Sequence, residues 1–136
     1  MTILEGTTRF ADTQFAARAV ALCGWAATGA GLDVVPAVLG DDPVVTARGT
    51  APDSWTCAER PDSQNPLGPT RTAVVLTTDV GATVRIAIGS QAWPPSSPEP
   101  PAWTVDLRPD EQLVVDGRCS IRVTGGTATT TEWTAK

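Results

Sequence analysis

From residue 113 to residue 127 the chain reads LVVDGRCSIRVTGGT, and this stretch decides the fold class. Leu113 to Val115 is a short, β-branched apolar run. Asp116-Gly117 then has the left-handed dihedral preference of a two-residue hairpin turn. Beyond it, Cys119, Ile121 and Val123 fall on one face of an extended chain and Ser120, Arg122 and Thr124 on the other, the period-two signature of a half-buried strand. Gly125-Gly126 supplies the next reversal, into a threonine-rich strand over Thr127 to Trp133.

The same pattern extends upstream. Thr72 to Asp79 (TAVVLTTD) is apolar throughout its middle, as a strand covered on both faces would be. Gly81 allows a tight connection into Ala82 to Gly89, where Val84, Ile86 and Ile88 alternate with Arg85 and Ala87, so these two strands read as a hairpin. Trp103, Val105 and Leu107 alternate with Thr104 and Asp106 in a further strand, ended by Pro109, which has no N–H to give a ladder. Six strands from Thr72 to Trp133, separated by Gly and Pro turns, predict a mainly β protein: an antiparallel β-sandwich or jelly-roll-like barrel. At 136 residues the chain is expected to form a single β-rich domain over residues 1–136.

The N-terminal half is more open. Leu32 to Leu39 and Val44 to Ala47, separated by Gly40-Asp41-Asp42-Pro43, are expected to be two more strands. Asp12 could cap one short N-terminal helix from Thr13 to about Cys23, with Phe15, Ala19 and Leu22 on one face. The same residues fit a strand with Phe15, Ala17, Ala19, Ala21 and Cys23 on one side, and both readings stand. Residues 49–70 read as a long loop carrying Pro52, Pro61, Pro66 and Pro69, and loops of that length are often functional or ordered by a partner. Residues 1–10 read as an extended arm, and this arm and the 49–70 loop are expected to be contact segments ordered by neighbouring subunits.

Composition excludes several chemistries. The net charge is -5, and the nine arginines are scattered, so no clustered basic surface for nucleic acid is expected. There is no histidine, which removes the commonest general base and metal ligand. No P-loop, G-x-G-x-x-G or G-x-S-x-G motif occurs, and neither a catalytic residue nor a cofactor or metal is expected. Carboxylates gather at Asp106, Asp110, Glu111 and Asp116, read as a solvated rim against the alternatives of a calcium site or a glycosidase pair. Cys23, Cys57 and Cys119 are odd in number and widely spaced, which fits buried free thiols better than a disulfide framework. The first ten residues lack a signal-peptide pattern and the most apolar stretch, Ala19 to Leu32, is shorter than the roughly 20 residues of a membrane span. The expectation is a protein that begins its life in a cytoplasm, with no membrane partner.

The candidate interface residues are tryptophans and prolines. Residues 93–103 read WPPSSPEPPAW, two tryptophans bracketing a proline-rich run between adjacent strands. Trp93, Pro95, Pro98, Pro100 and Trp103 are candidates for a projecting tip or a polyproline II ligand, because prolines hold an extended shape before binding. The alternative is a stiff loop whose tryptophans pack across the strand pair at its base. Trp55, inside the long loop, is the remaining candidate for an interface anchor, since tryptophan is enriched among binding hot spots.

The run from Trp103 to Gly117 (WTVDLRPDEQLVVDG), with Ser120 to Thr129 (SIRVTGGTAT), resembles the closing strands of small β-sandwich virion proteins of bacteriophages. In these a Leu-x-Pro-(Gly or Asp)-Glu corner precedes a strand and a Gly-Thr-Ala hairpin ends the sheet; Asp110 stands here where glycine is commoner. The resemblance covers about a third of the chain, Trp103 to Trp133. It implies a structural virion accessory protein of a phage of a GC-rich actinobacterium, non-enzymatic: a capsid decoration or minor capsid protein, or a fibre-type component. Its implied partner is the major capsid protein or another virion protein, its location the virion, and its state a homo-oligomer, with a trimer plausible. A glycan- or receptor-binding module of a phage tail or fibre is the alternative.

Overall fold

The computed structural model of the protein describes residues 26–29, 34–58, 71–87, 103–117 and 119–135. The arm at 1–10, the helix-or-strand segment at 12–23 and the proline-rich run at 93–101 lie outside the described residues. The elements in chain order are β1 (Ala26–Gly29), α1 (Val34–Leu39), β2 (Val44–Thr50), β3 (Thr72–Thr77), β4 (Ala82–Ala87), β5 (Trp103–Leu107), β6 (Gln112–Asp116), β7 (Ser120–Gly126) and β8 (Thr129–Thr134). The strands form two antiparallel sheets: a five-stranded sheet of order β1-β6-β3-β8-β2 and a three-stranded sheet of order β5-β4-β7. The protein is a mainly β, antiparallel sandwich, as the alternation predicts.

A short stretch completes the smaller sheet. Val123 N donates to Pro52 O at 3.0 Å, and Thr56 and Ile121 exchange both backbone bonds at 3.0 and 2.8 Å. Residues 52–56 therefore run antiparallel along the free edge of β7. With that rung included, the pairs nest. β4 lies on β5, β3 on β6, residues 52–56 on β7, and β2 on β8. A single long hairpin folded across two sheets has this order, and it is the strand order of a jelly roll, with β1 added beside β6. The expected 49–70 loop is thus shorter at its start. β2 continues through Thr50, and the next residues dock on the protein's own sheet.

The three expected hairpins are not hairpins. β3 and β4, β6 and β7, and β7 and β8 each lie in different sheets, so the turns at Gly81, Asp116-Gly117 and Gly125-Gly126 are corners between layers. Such residues encode a reversal of the chain, whereas pairing is set by which neighbours bury each strand. β3 and β6 show why: both are buried on alternate residues of each face, so both need a central place in a sheet covered on two sides. One face meets the main core between the layers, built from Val74, Leu76, Val84, Ile86, Leu107, Leu113, Val115, Ile121 and Val123 among others. The other meets a smaller cluster of Ala27, Leu39, Ala73 and Val114 under α1.

Val34–Leu39 is a helix, where alternation predicted a strand over 32–39. Val35 and Leu39, one helical turn apart, both reach the smaller cluster. Spacings of two and four coincide in so short an apolar run, so period alone misassigns it. The ends of the segment accommodate a helix. Pro36 is tolerated in a first helical turn, and Gly40 (φ 82°) closes the last turn by donating its N–H to Pro36 O at 3.0 Å.

One buried hydroxyl ties two corners together. Thr78 Oγ1 donates to Thr127 O at 2.7 Å and accepts from Gly81 N at 2.9 Å. Replacing it with valine strands both backbone groups, so Thr78→Val is expected to cost about 1–3 kcal/mol in urea unfolding, while Thr78→Ser stays near wild type.

Candidate functional site: a groove across the outer face of the larger sheet

The outer face of the larger sheet carries a concave surface. In register across four strands stand Arg48 on β2, Thr131 on β8, Val75 on β3 and Val114 on β6. This row floors a groove of about 420 Å³. Val35 and Pro36 of α1, Pro43 and Trp133 line it further, and Thr77 and Gln112 complete its polar rim. Trp133 follows Thr131 by two residues on the same face, and it is half-buried against the cluster under α1. Arg48 is exposed and has no ion-pair partner among the described residues. The site thus combines an aromatic wall, an aliphatic floor, a few side-chain donors and one cation. That is the composition of a site for a mostly apolar ligand fixed by a small number of polar contacts.

The outer face of the smaller sheet holds Trp55. Arg85 and Arg122 face each other across β4 and β7, and their guanidinium carbons lie 6.0 and 5.7 Å from the Trp55 ring centroid. The ring's negative face offsets the repulsion of two cations in directly opposed positions. The Trp55 indole nitrogen is buried without a hydrogen-bond partner among the described residues. Trp55 is therefore half-buried against its own sheet, clamping the 52–56 rung. Trp55→Ala is expected to speed hydrogen exchange at the Thr56 and Ile121 amides, which bridge that rung to β7, and to leave the Val74 amide protected.

Between the layers, at the edge closed by the 52–56 rung, a cavity of about 220 Å³ is lined by Cys57, Cys119, Val74, Val115, Ile121 and Glu132 among others. Cys119 is buried, and Cys57 Sγ donates to Gly117 O at 3.2 Å. The expected carboxylate rim does not hold together. Asp116 is fully buried at the end of β6, because it shares the outer face with Val114 at a central strand. Asp106 is exposed and accepts from Thr83 Oγ1 at 3.2 Å, Asp110 is exposed, and Glu111 lies 3.9 Å from Arg108 within the corner between the sheets. No group of three or more Cys, Asp or Glu side chains placed to hold a metal occurs among the described residues. No described helix is long and apolar enough to cross a membrane.

Of the residues singled out by sequence, Trp103 opens β5 opposite Ile86, on the same sheet as Trp55. Trp93, Pro95, Pro98 and Pro100 lie outside the described residues. Arg48 and Trp133, the groove's two distinctive side chains, were not among the candidates. Their signal is a tryptophan and an arginine on the otherwise threonine-rich strands TTTEWT and VVTARGT, and only the pairing of β2 with β8 brings them to one face. The chain matches no protein-family model and no curated protein.

Proposed function

We propose that this protein is a structural accessory protein of a bacteriophage particle, decorating or stabilising the head surface through contacts with the major capsid protein or another virion protein, without catalysis. The observation that carries this reading is the nested strand order, because jelly rolls recur in capsid proteins. A fold is compatible with many functions, so this support is by analogy of architecture. It is joined by the resemblance of Trp103 to Trp133 to the closing strands of small virion proteins and by an acidic balance of -5 that favours solubility at high copy number. Mass spectrometry of purified particles from the source of this chain tests the reading. The chain is expected at a fixed ratio to the main shell protein. Its presence in the infected-cell lysate but absence from intact particles would sink the idea.

A second reading, a glycan- or receptor-binding module of a tail or fibre, is favoured by Trp133 standing beside Thr131 and Gln112 in the groove, since an indole face with nearby hydroxyl and amide donors suits a sugar ring. Jelly rolls also occur as lectin domains. A glycan array probed with the purified chain, and repeated with Trp133→Ala, separates this reading from the first.

A further inference from the structure

We propose that the groove across the larger sheet receives an extended proline-rich segment bearing one carboxylate, and that its occupant is residues 94–101 of a second copy of this chain. The groove's dimensions fit such a ligand. Its floor row crosses four strands, Arg48 to Val114, and at about 4.8 Å between strands this is roughly 14 Å. A polyproline II segment rises about 3.1 Å per residue, so a Pro-x-x-Pro unit covers roughly 9 Å and one or two flanking residues fill the row. Residues 94–101 read PPSSPEPP and contain two such units, Pro95 to Pro98 and Pro98 to Pro101.

The chemistry matches as well. Proline rings bind aromatic-lined grooves because the extended shape is set before binding and little entropy is lost. Trp133 and Val75 offer that surface, while Thr131 and Gln112 are placed to donate to the backbone carbonyls that a polyproline segment leaves unpaired. Charge fixes the register. Arg48 is the cation lining the groove among the described residues, and Glu99 is the sole charged residue from Gly89 to Ala102. With Glu99 at Arg48, Pro100 and Pro101 run over Thr131 towards Val75.

Connectivity favours a second copy over the chain's own segment. Residues 88–102 join β4 to β5 in the smaller sheet, whereas the groove lies on the far face of the larger one. A neighbouring molecule presents the segment without rounding the edge of two layers about 10 Å apart. Segment into groove is a heterologous contact, and such contacts close into rings when the rotation allows.

The test uses the full chain. Sedimentation analysis of the wild type is expected to show concentration-dependent self-association. Arg48→Glu and Glu99→Arg are each expected to weaken it by about tenfold or more, since each places like charges at the contact. An equimolar mixture of the two variants is expected to associate as wild type, because each groove then meets a segment of opposite charge. A wild type that stays monomeric, variants that associate unchanged, or a mixture no better than its components would overturn the proposal.

A second measurement does not depend on the variants folding. A synthetic peptide of residues 94–102, which contains no tryptophan, is titrated into wild-type protein while the Trp133 indole resonance is followed by NMR. The resonance is expected to shift, and much less with the Glu99→Arg peptide; no shift, or equal shifts, counts against the groove. Particle incorporation is read separately, so either proposal can fail while the other stands.

Discussion

Gly126→Ala is expected to lower the unfolding free energy by roughly 2–5 kcal/mol, the sum of about 1–2 for a left-handed alanine and about 1–3 for forced overpacking. Gly126 has φ 68° and lies opposite Ala82 in the ladder between β4 and β7, at the point where the chain leaves the smaller sheet for the larger. A Cβ there would collide with the Gly81 carbonyl oxygen and come within 3.0 Å of the Ala82 Cα. Both are backbone atoms, so no side chain is available to swing aside. Moving Gly81 would in turn disturb the N–H that Thr78 holds. The control is Gly49→Ala on β2, where no atom lies within 4 Å of the added methyl and φ is ordinary, so stability is expected to change by less than about 1 kcal/mol. Urea unfolding of both variants against wild type checks the pair. Equal stabilities for Gly126→Ala and Gly49→Ala would mean that this corner is not packed as described.

Leu76→Ala is the second large effect, with an expected loss of about 2–5 kcal/mol. Leu76 is completely buried on the inner face of β3, directly opposite Leu113 on β6 and Thr130 on β8. β3 is the middle strand of the larger sheet, so neighbours on both sides hold the backbone in place and the hole left by three heavy atoms does not collapse fully. For a chain of this size each kcal/mol moves the melting temperature by roughly 3–5 °C, so a fall of about 6–25 °C is expected by calorimetry. Val80→Ala, at a position 76 % exposed, is expected to stay within about 0.5 kcal/mol. Should Leu76→Ala melt with Val80→Ala, the two layers are not packed on each other at β3.

These two sites also show where sequence reading succeeds and where it stops. Leu76 belongs to a run whose apolar middle announces burial on both faces, and the sheet does bury it so. The inward faces of β4, β5 and β7 were equally legible, because Val84 and Ile86, Val105 and Leu107, and Cys119, Ile121 and Val123 alternate with polar residues at period two. Gly126 is different. Its sequence context announces a turn, but a turn into the other sheet and a turn into a hairpin use the same left-handed glycine. The short strand β1 also escaped notice, since Ala-Ala-Thr-Gly carries no alternating pattern; it is a strand because β6 offers it an edge.

The groove was the least legible feature. Arg48 and Thr131 are 83 positions apart, and Thr131 and Val75 are 56 apart, as their numbers in the chain give. Nothing local to any of them signals a shared row. By itself the sequence determined the strands from Thr72 to Trp133, their buried faces and the places where the chain turns between them, because alternation and turn residues act over two to four neighbouring residues. The tertiary structure alone decided which strands pair, that residues 34–39 coil into a helix over the larger sheet, that Asp116 is buried, and that Arg48 and Trp133 share a surface. Those outcomes depend on covering both faces of a central sheet with residues far apart in the chain, and only the assembled layers supply that cover.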